Sequence, residues 1–250
     1  MILAAWWVLG GALAGLIAGS FIATLVIRWP EGRGLGGRSA CDGCGRHLSL
    51  RDLLPVASWA LARGNCRTCG GSINWRHPTI EGAAALIGAA ALWLQPDPHG
   101  VAGALFGWQL LALAALDAEH FWLPDWLTGV LGISGLAFGV AGIGIDFSSR
   151  LIGGAVGFAA LFAISWTYRC LRGRPGMGGG DPKLLGAIGC WLGWSPLPYV
   201  VLVASVIGVA LALAMAMRGR HVAATTRLPL GALMAVAAFP LWVFLEAILF

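Results

Sequence analysis

The chain has 250 residues, of which 58% are hydrophobic and 11% are charged. A soluble domain carries about 25% charged residues, so this composition excludes an ordinary soluble fold and predicts a protein that crosses the membrane several times. The 16 Lys and Arg residues outnumber the 11 acidic residues. This excess does not require a nucleic-acid partner, because membrane proteins concentrate basic residues in their cytoplasmic loops.

The first 27 residues form an apolar segment that reaches Ile27. The segment has no positively charged start, and its apolar run is longer than that of a cleaved signal peptide. We therefore interpret residues 1–27 as a first transmembrane helix that is retained.

The apolar segments together predict an all-α membrane protein with about eight transmembrane helices. A helix needs roughly 20 residues to span a bilayer, and the sixth segment is short enough to be a half-span. The predicted organisation is a first helix at 1–27, a loop at 28–78 and a membrane core at 79–250. The eight predicted spans lie at about 3–27, 79–95, 100–117, 126–145, 151–168, 182–195, 197–217 and 230–249.

The positions of the basic residues predict the orientation in the membrane. Segments 28–78, 118–125, 169–183 and 218–229, placed on one side, contain 15 of the 16 Lys and Arg residues, and only Arg150 lies opposite. The positive-inside rule makes the basic side cytoplasmic. The loop at 28–78 is then cytoplasmic, and both termini lie outside.

The loop contains two CxxC pairs, CDGCG at 41–45 and CRTCG at 66–70. A tight turn with two residues between its thiols presents both sulfurs to one ion, and the glycine after each pair suits a left-handed turn position. The two turns predict a tetrahedral four-cysteine site for a structural zinc ion. Disulfide or redox chemistry is the alternative, which the reducing cytosol disfavours. The predicted ligands are Cys41, Cys44, Cys66 and Cys69.

A zinc ribbon can also bind nucleic acid, which is a different reading of this loop. Here membrane helices anchor both ends of the loop, and its arginines are dispersed as the positive-inside rule predicts. We therefore expect the lipid bilayer, and no nucleic acid, among the partners of the chain.

Acidic residues at the edge of a membrane are costly, so each one is a candidate for function. Glu31, Asp42 and Asp52 lie in the loop and fit solvated surface charges. Glu81 begins the second predicted span, where the helix dipole would favour a carboxylate.

Two acidic residues have no such simple explanation. Asp117, in LDAEHFWLPD at 116–125, ends the third predicted span, and Asp181 begins the sixth after the glycines 178–180. The predicted topology places both at the cytoplasmic face. Two adjacent carboxylates share a proton, so that the charged one activates water and the neutral one protonates the carbonyl or the leaving amine. This predicts an aspartic protease whose glycines admit a substrate backbone, although Gly-Gly-Gly also suits a flexible helix break.

These motifs resemble those of the type IV prepilin peptidases, which belong with the GxGD intramembrane aspartic proteases. GMGGGDPKLLGAIGCWLGW at 176–194 is similar to the Gly-x-Gly-Asp signature, and GSFIATLVIRWP at 19–30 to the first motif of the family. The paired CxxC loop, LDAEHFWLPDWLT and RLPLGALMAVAAF at 227–239 complete the pattern. The resemblance covers nearly the whole chain.

The resemblance implies an inner-membrane peptidase that removes the basic leader of prepilins or of type II secretion pseudopilins at the cytoplasmic face, after a glycine. It also implies N-methylation of the new N-terminus with S-adenosylmethionine. Carried over to this sequence, the catalytic pair is Asp117 and Asp181, the active-site glycines are Gly178 and Gly180, and Lys183 is the basic residue that follows the aspartate.

Two positions qualify this assignment. Asp125 also lies at the cytoplasmic face, but LPD looks like the start of the next helix, where this carboxylate would serve as an N-cap. Ala23 stands where the family usually has Asn, a change that could affect substrate positioning or methyl transfer. No glycine-rich fingerprint marks a site for the methyl donor.

Two other classes of protein remain as alternatives. A proton- or cation-coupled transporter would also use carboxylates at the membrane edge, but it would not explain the cysteine loop or the GxGD motif. A non-catalytic assembly protein of a secretion system would not need both aspartates.

Overall fold

The computed structural model describes residues 2–37, 39–41, 43–49, 51–174, 176–221, 223 and 226–249. Within these residues the regular structure is helical, apart from two isolated β-bridges. The prediction of an all-α protein is therefore confirmed. The helices are α1 (Ile2–Arg28), α2 (Ala57–Leu61), α3 (Arg76–Leu94), α4 (Pro98–His120), α5 (Asp125–Val140), α6 (Phe147–Arg172), α7 (Gly180–Leu192), α8 (Leu197–Met217) and α9 (Leu230–Leu249).

Four segments are long and apolar enough to cross a membrane: Ala4–Arg28, Pro98–His120, Phe147–Arg172 and Leu197–Met217. Shorter apolar helices form within α5 and α9. Helices α1 and α3 to α9 coincide with the eight predicted segments, but a count of eight spans stays a prediction. The 13 residues of α7 extend about 20 Å, so this helix is as short as the sequence indicates.

The chain divides into two compact units, Met1–Ala112 and Leu113–Phe250. In the first unit α1 packs along α3 with almost no space between the backbones. A Cβ atom on Gly11 would collide with the carbonyl oxygen of Gly88, and one on Gly15 with that of Ala84. Small residues allow this close approach of helices in membrane proteins.

In the second unit α7 is surrounded by other helices, and ten of its thirteen residues are buried. Gly153 and Gly157 of α6 contact the backbone of α7 at Gly189 and Leu185, where a Cβ on either α6 glycine would collide with a carbonyl oxygen. This packing fixes α7 and therefore the position of Asp181 near its start.

Arg150 holds the other end of α7. The residue is only 4% exposed. Its guanidinium donates to the carbonyl oxygens of Gly135 at 2.8 Å, Ile143 at 2.7 Å and Cys190 at 3.2 Å. Arg150 is thus a buried structural group rather than a loop charge, which explains why this one basic residue lies outside the predicted cytoplasmic segments.

Candidate active site and metal centre

Asp117 lies in the last turn of α4 and is 6% exposed. Its Oδ2 atom accepts a hydrogen bond from the backbone N–H of Ala232 at 2.8 Å, and the N–H of Gly231 also donates to this carboxylate. Both donors belong to the first turn of α9, whose N–H groups have no acceptor within the helix. The Asp117 carboxylate therefore caps α9.

Asp181 is the second residue of α7 and is also 6% exposed. Its Oδ2 atom accepts a hydrogen bond from the backbone N–H of Gly178 at 3.0 Å. A Cβ on Gly178 would lie 3.3 Å from this oxygen. The glycine segment thus folds back onto the carboxylate that follows it.

Leu123, in the turn between α4 and α5, packs against the starts of both α7 and α9. A Cβ on Gly180 would lie 2.8 Å from the Leu123 Cβ. A Cβ on Gly231 would lie 2.7 Å from Leu123 Cδ1 and 2.9 Å from Asp117 Oδ2. Close packing explains the glycines at both positions, whereas the sequence suggested that Gly180 admits a substrate backbone or breaks a helix.

The structure brings Asp117 and Asp181 together, although 64 positions separate them in the sequence. Leu123 contacts the start of α7, where Asp181 lies, and also Gly231, which lies beside the Asp117 carboxylate. Each carboxylate is largely buried and is oriented through Oδ2 by backbone N–H groups near the start of a helix. The sequence did not predict that Leu123 and Gly231 pack beside the two aspartates, although Gly231 belongs to the RLPLGALMAVAAF segment.

Lys183 and Asp125 form an ion pair at the surface. Lys183 Nζ lies 2.7 Å from Asp125 Oδ1, and the two side chains are 46% and 73% exposed. The N-cap residue of α5 is Pro124. The predicted N-cap role of Asp125 is therefore wrong, since this residue is the first one inside the helix. An exposed pair of this kind contributes little to stability.

The four predicted cysteine ligands lie together. Their sulfur atoms are all within 4.8 Å of one another, and those of Cys41 and Cys69 are 4.0 Å apart. In a tetrahedral site with Zn–S bonds of about 2.3 Å, neighbouring sulfurs lie about 3.8 Å apart. The cluster therefore fits one tetrahedral metal ion.

The two CxxC turns have the same backbone geometry. Gly45 and Gly70 both have φ of 69°, the left-handed conformation that the sequence predicts for them. Each glycine donates its N–H to the carbonyl oxygen of the first cysteine of its pair at 2.9 Å. One isolated antiparallel bridge closes each turn. These bridges join Ala40 to His47 and Asn65 to Ser72.

The ionisation of the cysteine thiols also bears on metal binding in this loop. The N–H of Gly71 lowers the pKa of Cys69, but the thiols of Cys66 and Cys44 outweigh it and raise that pKa to about 11. The backbone N–H groups of Cys69 and Thr68 lower the pKa of the Cys66 thiol to about 6. This favours the thiolate, which is the form that binds a metal.

Asp52 connects the two turns rather than lying free in solvent. Its carboxylate accepts hydrogen bonds from Ser49 Oγ at 2.8 Å and Arg46 at 3.1 Å, and it lies 3.9 Å from Arg67. The bonds from Ser49, together with both arginines, lower the pKa of Asp52. The predicted solvated charge at Asp52 is therefore wrong, whereas Asp42 lies outside the described residues.

Glu81 also differs from its prediction. It is the sixth residue of α3 and is 6% exposed, so it lies beyond the first turn, where a helix dipole acts most strongly. Its Oε2 atom accepts a hydrogen bond from the N–H of Val56 at 2.7 Å, and the Ser20 side chain also binds it. Glu81 therefore joins α1, the cysteine loop and α3.

Known proteins are similar in sequence to this chain over most of its length. The profile of the Type IV leader peptidase family matches residues 104–213, and that of the bacterial peptidase A24 N-terminal domain matches residues 13–95. No solved structure matches this chain.

Several relatives carry the name prepilin leader peptidase/N-methyltransferase. The one from Dickeya chrysanthemi is 38% identical, over 81% of this chain and 81% of the relative. The one from Pseudomonas aeruginosa is 32% identical, over 93% of this chain and 89% of the relative. The one from Burkholderia pseudomallei is 43% identical, over 73% of this chain and 60% of the relative. This chain therefore belongs to the type IV leader peptidase family, as its motifs predict.

Proposed function

We propose that this chain removes the basic leader from type IV prepilins or type II secretion pseudopilins, after a glycine, and that Asp117 and Asp181 are its two catalytic carboxylates. The observation that carries the proposal is that two buried carboxylates, each 6% exposed, lie at the starts of α9 and α7, where Leu123 packs against both helices. The relatives named prepilin leader peptidase/N-methyltransferase support the same substrate class.

The reaction follows from two carboxylates that share one proton. The charged member takes a proton from water as the water attacks the carbonyl carbon of the glycine before the cut. The neutral member protonates the carbonyl oxygen, which gives a tetrahedral diol. The first carboxyl then gives the proton it took from water to the leaving amine as the C–N bond breaks. The second carboxylate takes a proton from a hydroxyl of the diol, so both aspartates return to their starting states. Backbone N–H groups hold Oδ2 of each aspartate, and we assign the other oxygen of each carboxylate to the water and the peptide.

Gly178 and Gly180 support this arrangement in two different ways. Gly178 supplies the N–H that orients Asp181, and Gly180 lets Leu123 approach the start of α7. Lys183 lies in an exposed ion pair with Asp125, and we assign it no step in the chemistry.

We place the protein in the bacterial inner membrane, with both termini outside and with the cysteine loop and the aspartates at the cytoplasmic face. The long apolar helices α1, α4, α6 and α8 support the membrane location. Exposed apolar side chains on these helices suit contact with lipid; they include Phe21, Phe162 and Val206. The basic leader of the substrate would remain in the cytosol.

We propose zinc as the metal of the four-cysteine site. Replacement Cys66→Ser removes one of four ligands, so we expect the purified protein to lose its bound zinc ion and the loop to become sensitive to proteolysis. Elemental analysis by mass spectrometry measures the metal content. Cys170→Ser is the matched control, because Cys170 is an exposed cysteine outside the cluster. Zinc that is retained by Cys66→Ser would contradict the assignment.

A prepilin assay tests the function as a whole. Purified full-length protein in detergent is incubated with a prepilin, with and without S-adenosylmethionine, and the products are weighed by mass spectrometry. We expect the mass of the leader to be lost, and one methyl group to be added only when the methyl donor is present. An intact prepilin after incubation with folded, zinc-loaded protein would contradict the proposal.

The transporter alternative has no observation in its favour. It explains neither the four-cysteine cluster nor the match to a peptidase family over residues 104–213. Solute uptake by sealed vesicles, without prepilin cleavage, would be required to support it.

A further inference from the structure

The first unit contains a cavity of about 730 Å³, lined by residues of α1, the cysteine loop and α3. Small-molecule sites occupy about 300–1,000 Å³, so the cavity is large enough for a ligand. Ser20, Thr24 and Arg28 line it from one face of α1, since residues four positions apart lie on the same side of a helix. Ala23 is fully buried and is not among the residues that line the cavity.

Glu81 gives this cavity a buried negative charge. Its two neutral donors, the Val56 N–H and the Ser20 side chain, orient the carboxylate on the wall of the cavity. In the part of the chain that the structure describes, no basic side chain binds Glu81. A buried charge without an opposite charge is unfavourable, so the site is suited to a cationic ligand.

The other acidic residues of the cavity wall are already paired with arginine. Glu31 lies 2.7 Å from Arg33, and Asp52 lies 3.1 Å from Arg46. Glu81 differs from both residues, because it is buried and its hydrogen-bond donors are neutral.

The backbone at Val56 is strained where it binds Glu81. This residue has φ of 59° and ψ of −51°, a conformation that β-branched residues avoid. Strained backbone persists where the surrounding structure holds it, and it occurs preferentially at functional sites. The Glu81 bond to the Val56 N–H contributes to holding it here.

The remaining wall suits a methyl donor with an aromatic base, a carboxylate and a sulfonium group. The indole of Trp59 lies on the wall as a stacking surface for the base. Arg28 and Arg67, which also contact the Ala40 carbonyl and Asp52, add positive charge that suits the carboxylate. The relatives are named N-methyltransferases as well as peptidases, and the matched N-terminal domain, residues 13–95, contains the whole cavity.

We propose that this cavity is the methyl-transfer site and that Glu81 binds the α-ammonium group of the newly cleaved chain and takes its proton. The inference rests on the proposed leader peptidase and N-methyltransferase function. The freed nitrogen lone pair attacks the methyl carbon of the sulfonium donor, so that an N–C bond forms while the C–S bond breaks and its electron pair stays on sulfur. The product is a secondary ammonium group, and Glu81 returns its proton to water.

Replacement Glu81→Gln tests the role of the carboxylate. Glutamine still accepts hydrogen bonds from Val56 and Ser20 but cannot take a proton. We expect methylation at pH 7 to fall by about tenfold or more, with cleavage and zinc content unchanged. A free α-amine has a pKa of about 7.7–8.0, so the variant should recover methylation as the pH rises to about 9. Asp97→Asn is the control for the change from acid to amide, because Asp97 is partly exposed and lies outside the cavity lining.

Binding of the methyl-donor product tests the cavity without any turnover. Ala62 lines the cavity, whereas Ala60 is exposed on α2. We expect Ala62→Trp to weaken binding of S-adenosylhomocysteine to the full-length protein at least about tenfold, as measured by equilibrium dialysis. Ala60→Trp and Glu81→Gln should bind it as the unchanged protein does. Unweakened binding by Ala62→Trp would overturn the location.

The outcomes separate this inference from the proposed function. If the unchanged protein neither cleaves nor methylates prepilin, the proposed function fails. If it does both, while Glu81→Gln methylates at the full rate at pH 7, only the role of Glu81 is overturned. Loss of zinc, of cleavage or of S-adenosylhomocysteine binding in Glu81→Gln would also overturn that role, because the carboxylate would then be structural or part of the donor site.

Discussion

Asp117→Asn and Asp181→Asn are each expected to reduce prepilin cleavage by roughly 10³-fold or more. The substitution removes proton transfer and not the position of the side chain, because an amide oxygen can still accept the backbone hydrogen bonds that orient each carboxylate. The amide cannot share or transfer the proton that the reaction requires. The rate of leader removal, measured by mass spectrometry under single-turnover conditions, gives the size of the loss.

Asp125→Asn is the matched control for this pair. Asp125 is an aspartate at the same predicted membrane face, but its side chain is 73% exposed and binds Lys183. We expect this variant to cleave prepilin at nearly the unchanged rate, because an exposed ion pair contributes little. Full cleavage by Asp117→Asn or Asp181→Asn would exclude that residue from the catalytic pair, and strong loss in Asp125→Asn would make Asp125 the first catalytic aspartate.

The double variant adds a test of shared function. Residues that act as one unit show effects that do not add, so the second substitution should cost almost nothing once the first has been made. If the losses of Asp117→Asn and Asp181→Asn instead multiply, the two aspartates act independently and a shared proton is contradicted.

The sequence predicts those parts of the fold that depend on local pattern. The apolar segments locate the helices, and the spacing of the cysteines indicates both the metal cluster and the left-handed Gly45 and Gly70. That Asp117 and Asp181 lie near one another is also foreseeable, because the predicted topology places the end of the third span and the start of the sixth at the same membrane face. These are consequences of periodicity, spacing and charge, which a single sequence contains.

The parts that the sequence does not predict depend on contacts between distant segments. Glu81 resembles any acidic residue near a helix start, and only the packing of Val56 and Ser20 against it shows that it is buried. Arg150 resembles an exception to the charge rule until four backbone carbonyl oxygens are seen to accept hydrogen bonds from its side chain. Burial of a polar group is decided by its tertiary neighbours, and these have no signature at short range.

The glycines near the aspartates illustrate the same limit. Their presence is obvious from the sequence, and substrate access is a reasonable explanation for it. The structure gives another reason, because Leu123 occupies the space that a Cβ on Gly180 would need. A glycine has the same letter whether it serves a turn, a close contact or a substrate, so only the neighbours distinguish these roles.

Gly231→Ala is expected to reduce cleavage about a hundredfold, because a misplacement of about 1 Å at a catalytic group has effects of that size. The new Cβ would lie 2.9 Å from Asp117 Oδ2 and 2.7 Å from Leu123 Cδ1. The end of the leucine side chain can move away, but the hydrogen bond from the Ala232 N–H keeps the aspartate oxygen next to the new Cβ, so the clash distorts this bond. The substitution therefore displaces the catalytic carboxylate while leaving its chemistry intact, and we expect kcat to fall.

Two controls separate this displacement from a loss of folding. Gly129→Ala makes the same chemical change on α5, where a Cβ would meet open space, and we expect normal cleavage from it. Adding Leu123→Val to Gly231→Ala relieves the contact with leucine but not the contact with Asp117, so cleavage should stay low. Recovery of the full rate in that double variant would show that Leu123 alone causes the loss. Alanine is a better helix former than glycine, so the thermal unfolding temperature of Gly231→Ala should change little even as cleavage falls.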